Sequence, residues 1–80
     1  MDLNTNALPY LSLAIIYIHY LYDIKSAIPY FHKALESSIN NNDSVELAFS
    51  YNNLGDAFML TGNMPLALQY TEKSIIILKL

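Results

Sequence analysis

"YNNLGDAFMLTG", residues 51–62, holds both glycines of an 80-residue chain, inside a run whose apolar spacing is otherwise helical. Glycine in a helix interior costs about 1 kcal/mol relative to alanine, so each one needs a reason. Two are available: a reaction that requires bare backbone, or a second helix that must come very close. The surrounding sequence decides between them.

Downstream, Thr61, Gly62 and Asn63 end the helix, with the glycine as the left-handed residue that a C-terminal cap prefers. Pro65 then fits the first turn of another helix, which runs to the chain end. Upstream, Asp43 with Glu46 three residues later reads as a capping box that opens the helix ending near Leu60. "INNNDS", residues 39–44, is the only clear loop, dense in side chains that compete for backbone hydrogen bonds. Before it, Asp23 caps a helix from about Ile24 to Ser38, and Pro29 within that helix predicts a kink or a later start. The first helix spans roughly Ala7 to Leu21, capped by Asn6 and tolerant of Pro9 in its opening turn. Apolar residues surround it on nearly every side, which predicts burial on more than one face. The chain is all-α, with four helices and no good strand.

Composition limits the function classes. Eighty residues make one small domain, which buries only about 60 to 65% of its unfolded surface. With no cysteine, a disulfide framework, a thiolate metal site and a thiol nucleophile are all excluded. Four lysines, no arginine and a net charge of -3 leave no basic stripe for nucleic acid. The uncharged run from Leu3 to Tyr22 is interrupted by Asn4, Asn6, Pro9, Ser12 and His19, so it reads as a buried helix rather than a membrane span or a signal peptide. An apolar fraction of 54% is high for so short a chain, and part of that surface is expected to meet something outside it.

The two helix pairs can be laid over each other. Placing Ala27 over Ala67, an offset of 40 (67 minus 27), aligns "SAIPYFHKALES" with "LALQYTEKSIII". Leu11, Ile18 and Tyr30 then fall over Tyr51, Phe58 and Tyr70. Unit one covers about 7–38, a loop covers 39–43, and unit two covers 44–80.

In this pattern the sequence resembles the tetratricopeptide repeat family. In the second unit, Tyr51, Leu54 and Phe58 take the family's large positions, Gly55, Ala67 and Ser74 its small ones, and Gly62 its turn. In the first, Leu11, Ile18 and Phe31 match large positions, and Ala27 and Ala34 small ones. Four features depart from the family pattern, one being the absence of the usual proline after the second helix. Ile15 stands where a small residue belongs, with Ala14 just before it, which predicts a shifted register or wider spacing in the first pair. Thr71 replaces an aromatic, and the period of 40 is longer than the common 34. The resemblance implies two helix-turn-helix hairpins forming a short right-handed solenoid segment.

The resemblance also implies a recognition groove along the first helix of each unit. Mapped by position, its residues are Phe49, Asn52, Asp56 and Met59 in unit two, and Ser12, Ile16, His19 and Tyr20 in unit one. Asn52 and Asn53 have amides that offer both donors and acceptors to a passing peptide backbone, and solvated helix surface is the alternative for each. Family members that clamp acidic tails use basic residues on these helices. Here the helices carry none apart from histidine, so Asp56 favours a neutral or basic segment.

Other constellations carry less. His19 and His32 sit about two turns apart on opposite arms of the first pair, too far for a shared metal. Ser12 and His19 are seven residues apart, about 10 Å along a helix, beyond the reach of a nucleophile and its base. The glycines follow no phosphate-loop spacing, and the seven tyrosines lack the basic partners of a base-stacking surface. Neither an enzyme activity, a metal nor a cofactor is expected.

In "SIIILKL" at the C-terminus, consecutive apolar residues outrun what one helix partner can cover. Leaving two of them in water forgoes roughly 3 to 6 kcal/mol. Ile75, Ile76, Ile77 and Leu80 are therefore expected at an interface with neighbouring repeats, a second copy or another subunit. The leading expectation is a cytoplasmic protein-interaction module that binds a peptide segment of a protein partner. The alternative is a structural or assembly unit, part of a longer solenoid or an obligate oligomer, whose apolar faces are the interface.

Overall fold

A computed structural model describes residues 7–79 of the chain. Asn6, the expected first cap, and Leu80, an expected interface residue, lie outside this range. Four α-helices follow one another: α1 (Leu8–His19), α2 (Ile24–Asn40), α3 (Ser44–Leu60) and α4 (Met64–Leu78). The described residues contain no strand. Each helix packs chiefly on its chain neighbours, α1 on α2, α2 on α3 and α3 on α4.

The three turns share one construction. Tyr22, Asn42 and Gly62, spaced by 20 (42 minus 22, 62 minus 42), all have left-handed backbones, with φ of 54°, 52° and 86°. Each is followed by a helix cap, Asp23, Asp43 or Asn63. The cap's side chain accepts from the amide three residues on, at 3.1 Å from Ser26, 3.0 Å from Glu46 and 3.3 Å from Leu66. Behind Gly62, the Asn63 amide donates to the Phe58 carbonyl at 2.8 Å and the Gly62 amide to Met59 at 3.0 Å, a Schellman closure. Asn42 closes α2 the same way, with Asp43 donating to Ser38 at 3.1 Å and Asn42 to Ile39 at 3.2 Å. That bond occupies the Asp43 amide, so Asp43 accepts from Glu46 without the reciprocal arm of a capping box. It also lets α2 run to Asn40, two residues past the expected end, and shortens the loop to 41–43. Despite Pro29, α2 starts at Ile24 rather than later.

The core consists mostly of small side chains. Seven of its ten buried apolar residues are alanine, and Phe31, Leu54, Ser38 and Ser50 are the largest fully buried side chains. Alanine at a crossing lets helix backbones approach, and Gly55 takes this furthest. A Cβ built there would lie 2.6 Å from the Thr71 hydroxyl and 3.2 Å from the Ala67 carbonyl oxygen. The Thr71 side chain and the Ala67 carbonyl are thus what the glycine makes room for.

α1 buries one face and not several. Leu11 and Ala14 are buried, whereas Leu8, Leu13, Ile15 and Ile16 are exposed, because α2 is the only helix that packs extensively on it. Ile15 stays at the surface and Ala14 takes the crossing, so the expected shift of register is present. It amounts to one residue. The Tyr17 and Tyr30 rings stack at 5.5 Å, and their counterparts Phe58 and Tyr70 stack at 5.6 Å. Lys33 lies over Tyr10 and Tyr30, and Lys73 lies over Tyr51 and Tyr70. The second helices therefore correspond at an offset of 40 (70 minus 30, 73 minus 33). The first helices correspond at 41 (51 minus 10, 58 minus 17). The physical cause is the first turn, where residues 20–23 connect α1 to α2 while residues 61–63 connect α3 to α4. One extra residue there slides all of α1 by one position relative to α2.

Candidate functional site

α1 and α3 flank a groove of about 330 Å³. Phe31 of α2, only 1% exposed, forms its floor. Ile15, Ile18 and His19 line the α1 side, and Asn53, Asp56, Met59 and Leu60 line the α3 side. Helix geometry explains the set: 15, 18 and 19 fall on one α1 face, and 53, 56 and 60 on one α3 face. His19, in the last turn of α1, and Asp56 are exposed at the rim, while Asn53 and Ile18 are half-buried. Asp56 is the only fully charged side chain of this lining, so the groove combines an apolar floor with a polar, mildly acidic edge.

Four of the nine residues expected in a groove, His19, Asn53, Asp56 and Met59, are brought together here. Ser12, Ile16 and Tyr20 are exposed and do not line it. The offset of 40 sets Ile16 and His19 over Asp56 and Met59, and the one-residue slide puts Ile15 and Ile18 there instead. Phe49 and Asn52 point elsewhere, into a second groove of about 300 Å³ between α3 and α4. The rest of that lining is Val45, Ala48, Ser74, Ile75 and Leu78. Of the expected interface residues, Ile75 and Ile76 are exposed and Ile77 is half-buried. Ile15, Ile18, Leu60 and Phe31 were missed, although Ala14 beside Ile15 carried the signal.

A smaller cavity of about 210 Å³ lies beside α2, lined by Tyr10, Lys33, Glu36, Ser37 and Asn40. The Ser37 hydroxyl there is buried without a hydrogen-bond partner. His32 is exposed, with its ring edge-on to Tyr70 at 6.3 Å. Among the described residues no cluster of three or more His, Asp or Glu side chains could hold a metal ion, and no helix is long and apolar enough to cross a membrane. No protein-family model, curated protein or solved structure matches the chain.

Proposed function

We propose that the chain is a two-unit helical repeat of the tetratricopeptide kind, acting in the cytoplasm as a protein-interaction module. Its α1/α3 groove binds an extended, neutral or basic peptide segment of a partner protein. The observation that carries this reading is the lining of that groove, an apolar trough over Phe31 with the Asn53 amide and the Asp56 carboxylate along one edge. An apolar ligand side chain fills the trough between Ile15, Ile18 and Met59. The Asn53 amide donates to and accepts from the ligand backbone, and Asp56 draws a lysine or arginine to the rim. Because Asp56 is exposed, that ion pair contributes at most about 1 kcal/mol, roughly fivefold in affinity. Most of the affinity comes from burying the apolar side chain.

Selection from a random peptide library graded in net charge tests the reading. Neutral and basic sequences with a single apolar anchor are expected to be enriched. Asp56→Asn should remove the charge preference, and Asn53→Ala should weaken capture of every class. Enrichment of acidic peptides, or a selection unchanged by Asp56→Asn, would show the reading to be wrong.

A further inference from the structure

His19 and Asp56 stand on the two walls of the α1/α3 groove, His19 in the last turn of α1 and Asp56 on α3. Both side chains are exposed, and among the described residues neither is taken up by a hydrogen bond or an ion pair. The rest of the lining is apolar apart from the neutral Asn53 amide, so these two groups alone set the charge of the groove. From the other helices, α2 contributes only Phe31 to the lining and α4 contributes nothing. Tyr20, Tyr22, Asp23 and Lys25, which follow His19 in the chain, are not in the lining, and the Asp23 carboxylate is bonded to the Ser26 hydroxyl and amide. His32, the only other histidine, is exposed and edge-on to Tyr70, and it too lies outside the lining.

Imidazole is the side chain type that changes charge between about pH 5 and 8, whereas a carboxylate stays ionised over that range. The groove therefore carries one negative charge when His19 is neutral, and none in sum when His19 is an imidazolium. We infer that His19 is a specificity-determining residue of this groove, which takes basic segments in preference when the imidazole is neutral and neutral segments equally well once it is protonated. The inference rests on the peptide-binding reading above and adds to it the residue that switches the charge preference. Protonation places a positive charge at the rim where Asp56 draws a ligand lysine or arginine. Affinity for a basic segment accordingly falls as pH falls. A segment without charge gains and loses no charge contact, so its affinity stays level. The exposed Asp56 pair contributes at most about fivefold, and a like-charged imidazolium at the same rim opposes it by a similar factor.

A matched pair of peptides tests the inference. Both carry the library's most enriched sequence with blocked termini and no other titratable side chain, one with lysine at the charged position and one with norleucine. Calorimetric affinities are measured at low ionic strength, at about pH 8 and about pH 5.5. The wild-type chain should prefer lysine by about fivefold at the higher pH and by close to onefold at the lower. His19→Gln, uncharged throughout, should keep the fivefold preference at both, and His32→Gln should behave as wild type. Asp56→Asn should show no preference at the higher pH and should favour norleucine at the lower, where the imidazolium stands alone. Circular dichroism should show the helicity of all three variants unchanged, since each site is exposed. A lysine preference that depends on Asp56 but is the same at both pH values, or one that still collapses on acidification in His19→Gln, would overturn the role of His19 and leave the peptide-binding reading standing. A wild-type chain with no lysine preference at the higher pH, or one that Asp56→Asn leaves intact, would overturn both.

Discussion

Gly55 is where packing and helix propensity oppose each other most directly, and Gly55→Ala measures which prevails. On propensity alone, alanine would stabilise α3 by about 1 kcal/mol. The added Cβ would sit 2.6 Å from the Thr71 hydroxyl, 3.2 Å from the Ala67 carbonyl oxygen and 3.4 Å from the Thr71 amide nitrogen. The first contact can be relieved in part by turning the threonine side chain, and the third is ordinary van der Waals contact, but the Ala67 carbonyl is backbone and requires α4 to give by a few tenths of an ångström. Overpacking of this size costs about 2 to 3 kcal/mol, so the net loss is about 1 to 2 kcal/mol. For a domain of this length that lowers the melting midpoint by roughly 4 to 16 °C. Urea and thermal unfolding followed by circular dichroism report it. A double-mutant cycle with Thr71→Ala separates the causes, because the shortest contact vanishes and the penalty of Gly55→Ala should fall to the part set by the Ala67 carbonyl. A Gly55→Ala chain that is more stable than wild type would refute the close crossing of α3 and α4.

Other perturbations probe other parts of the fold. Tyr22 is 86% exposed and held at φ 54°, a backbone that costs a non-glycine residue about 1 to 2 kcal/mol. Tyr22→Gly should therefore stabilise the chain by about 0.5 to 1 kcal/mol after glycine's own entropy is counted, and destabilisation in urea would count against a left-handed residue there. Ser37→Ala removes a buried hydroxyl that has no partner, so the unfolding free energy should stay level or rise by up to about 1 kcal/mol, whereas a clear loss would reveal a bond to that hydroxyl. The Asp23 carboxyl is held below its ordinary value, first by the Ser26 hydroxyl donating at 2.6 Å, then by the Ser26 amide at 3.1 Å, with Lys25 adding a smaller effect. Because the native value is the lower one, this stabilisation is present above about pH 4 and is lost as pH falls through the native value. Ser26→Ala should flatten that part of the stability profile, and an unchanged acid limb would contradict the assignment.

Much of the fold was legible in local chemistry. Asp23 and Asp43 announced two helix starts, and Gly62 announced a helix end by the left-handed backbone it adopts. The repeat was legible in the second helices, where Tyr30 and Lys33 recur as Tyr70 and Lys73. The register of α1 was not, because the extra residue sits in a turn whose left-handed position is taken by tyrosine and not by glycine, so nothing punctuates it. One residue is about 100° of rotation, enough to move Ser12, Ile16 and Tyr20 away from the groove and bring Ile15 and Ile18 into it. Tyr10 and Ala14, each 41 residues before Tyr51 and Gly55, carried the correct register. Leu11 and Ile18 offered a competing match at 40, and apolar residues all round α1 made both plausible. The uncovered α3/α4 groove was partly legible in the run Ile75 to Leu78, whose length exceeds what α3 can cover.

Amide chemical-shift mapping on the nitrogen-labelled chain, titrated with the peptide most enriched in the library, tests the central claim most directly. Shifts confined to the α1/α3 groove, at Ile15, Ile18, His19, Asn53, Asp56 and Met59, are the predicted result. Shifts that cluster instead at Val45, Phe49 and Leu78, or that leave Asn53 and Asp56 unmoved at saturation, would contradict it.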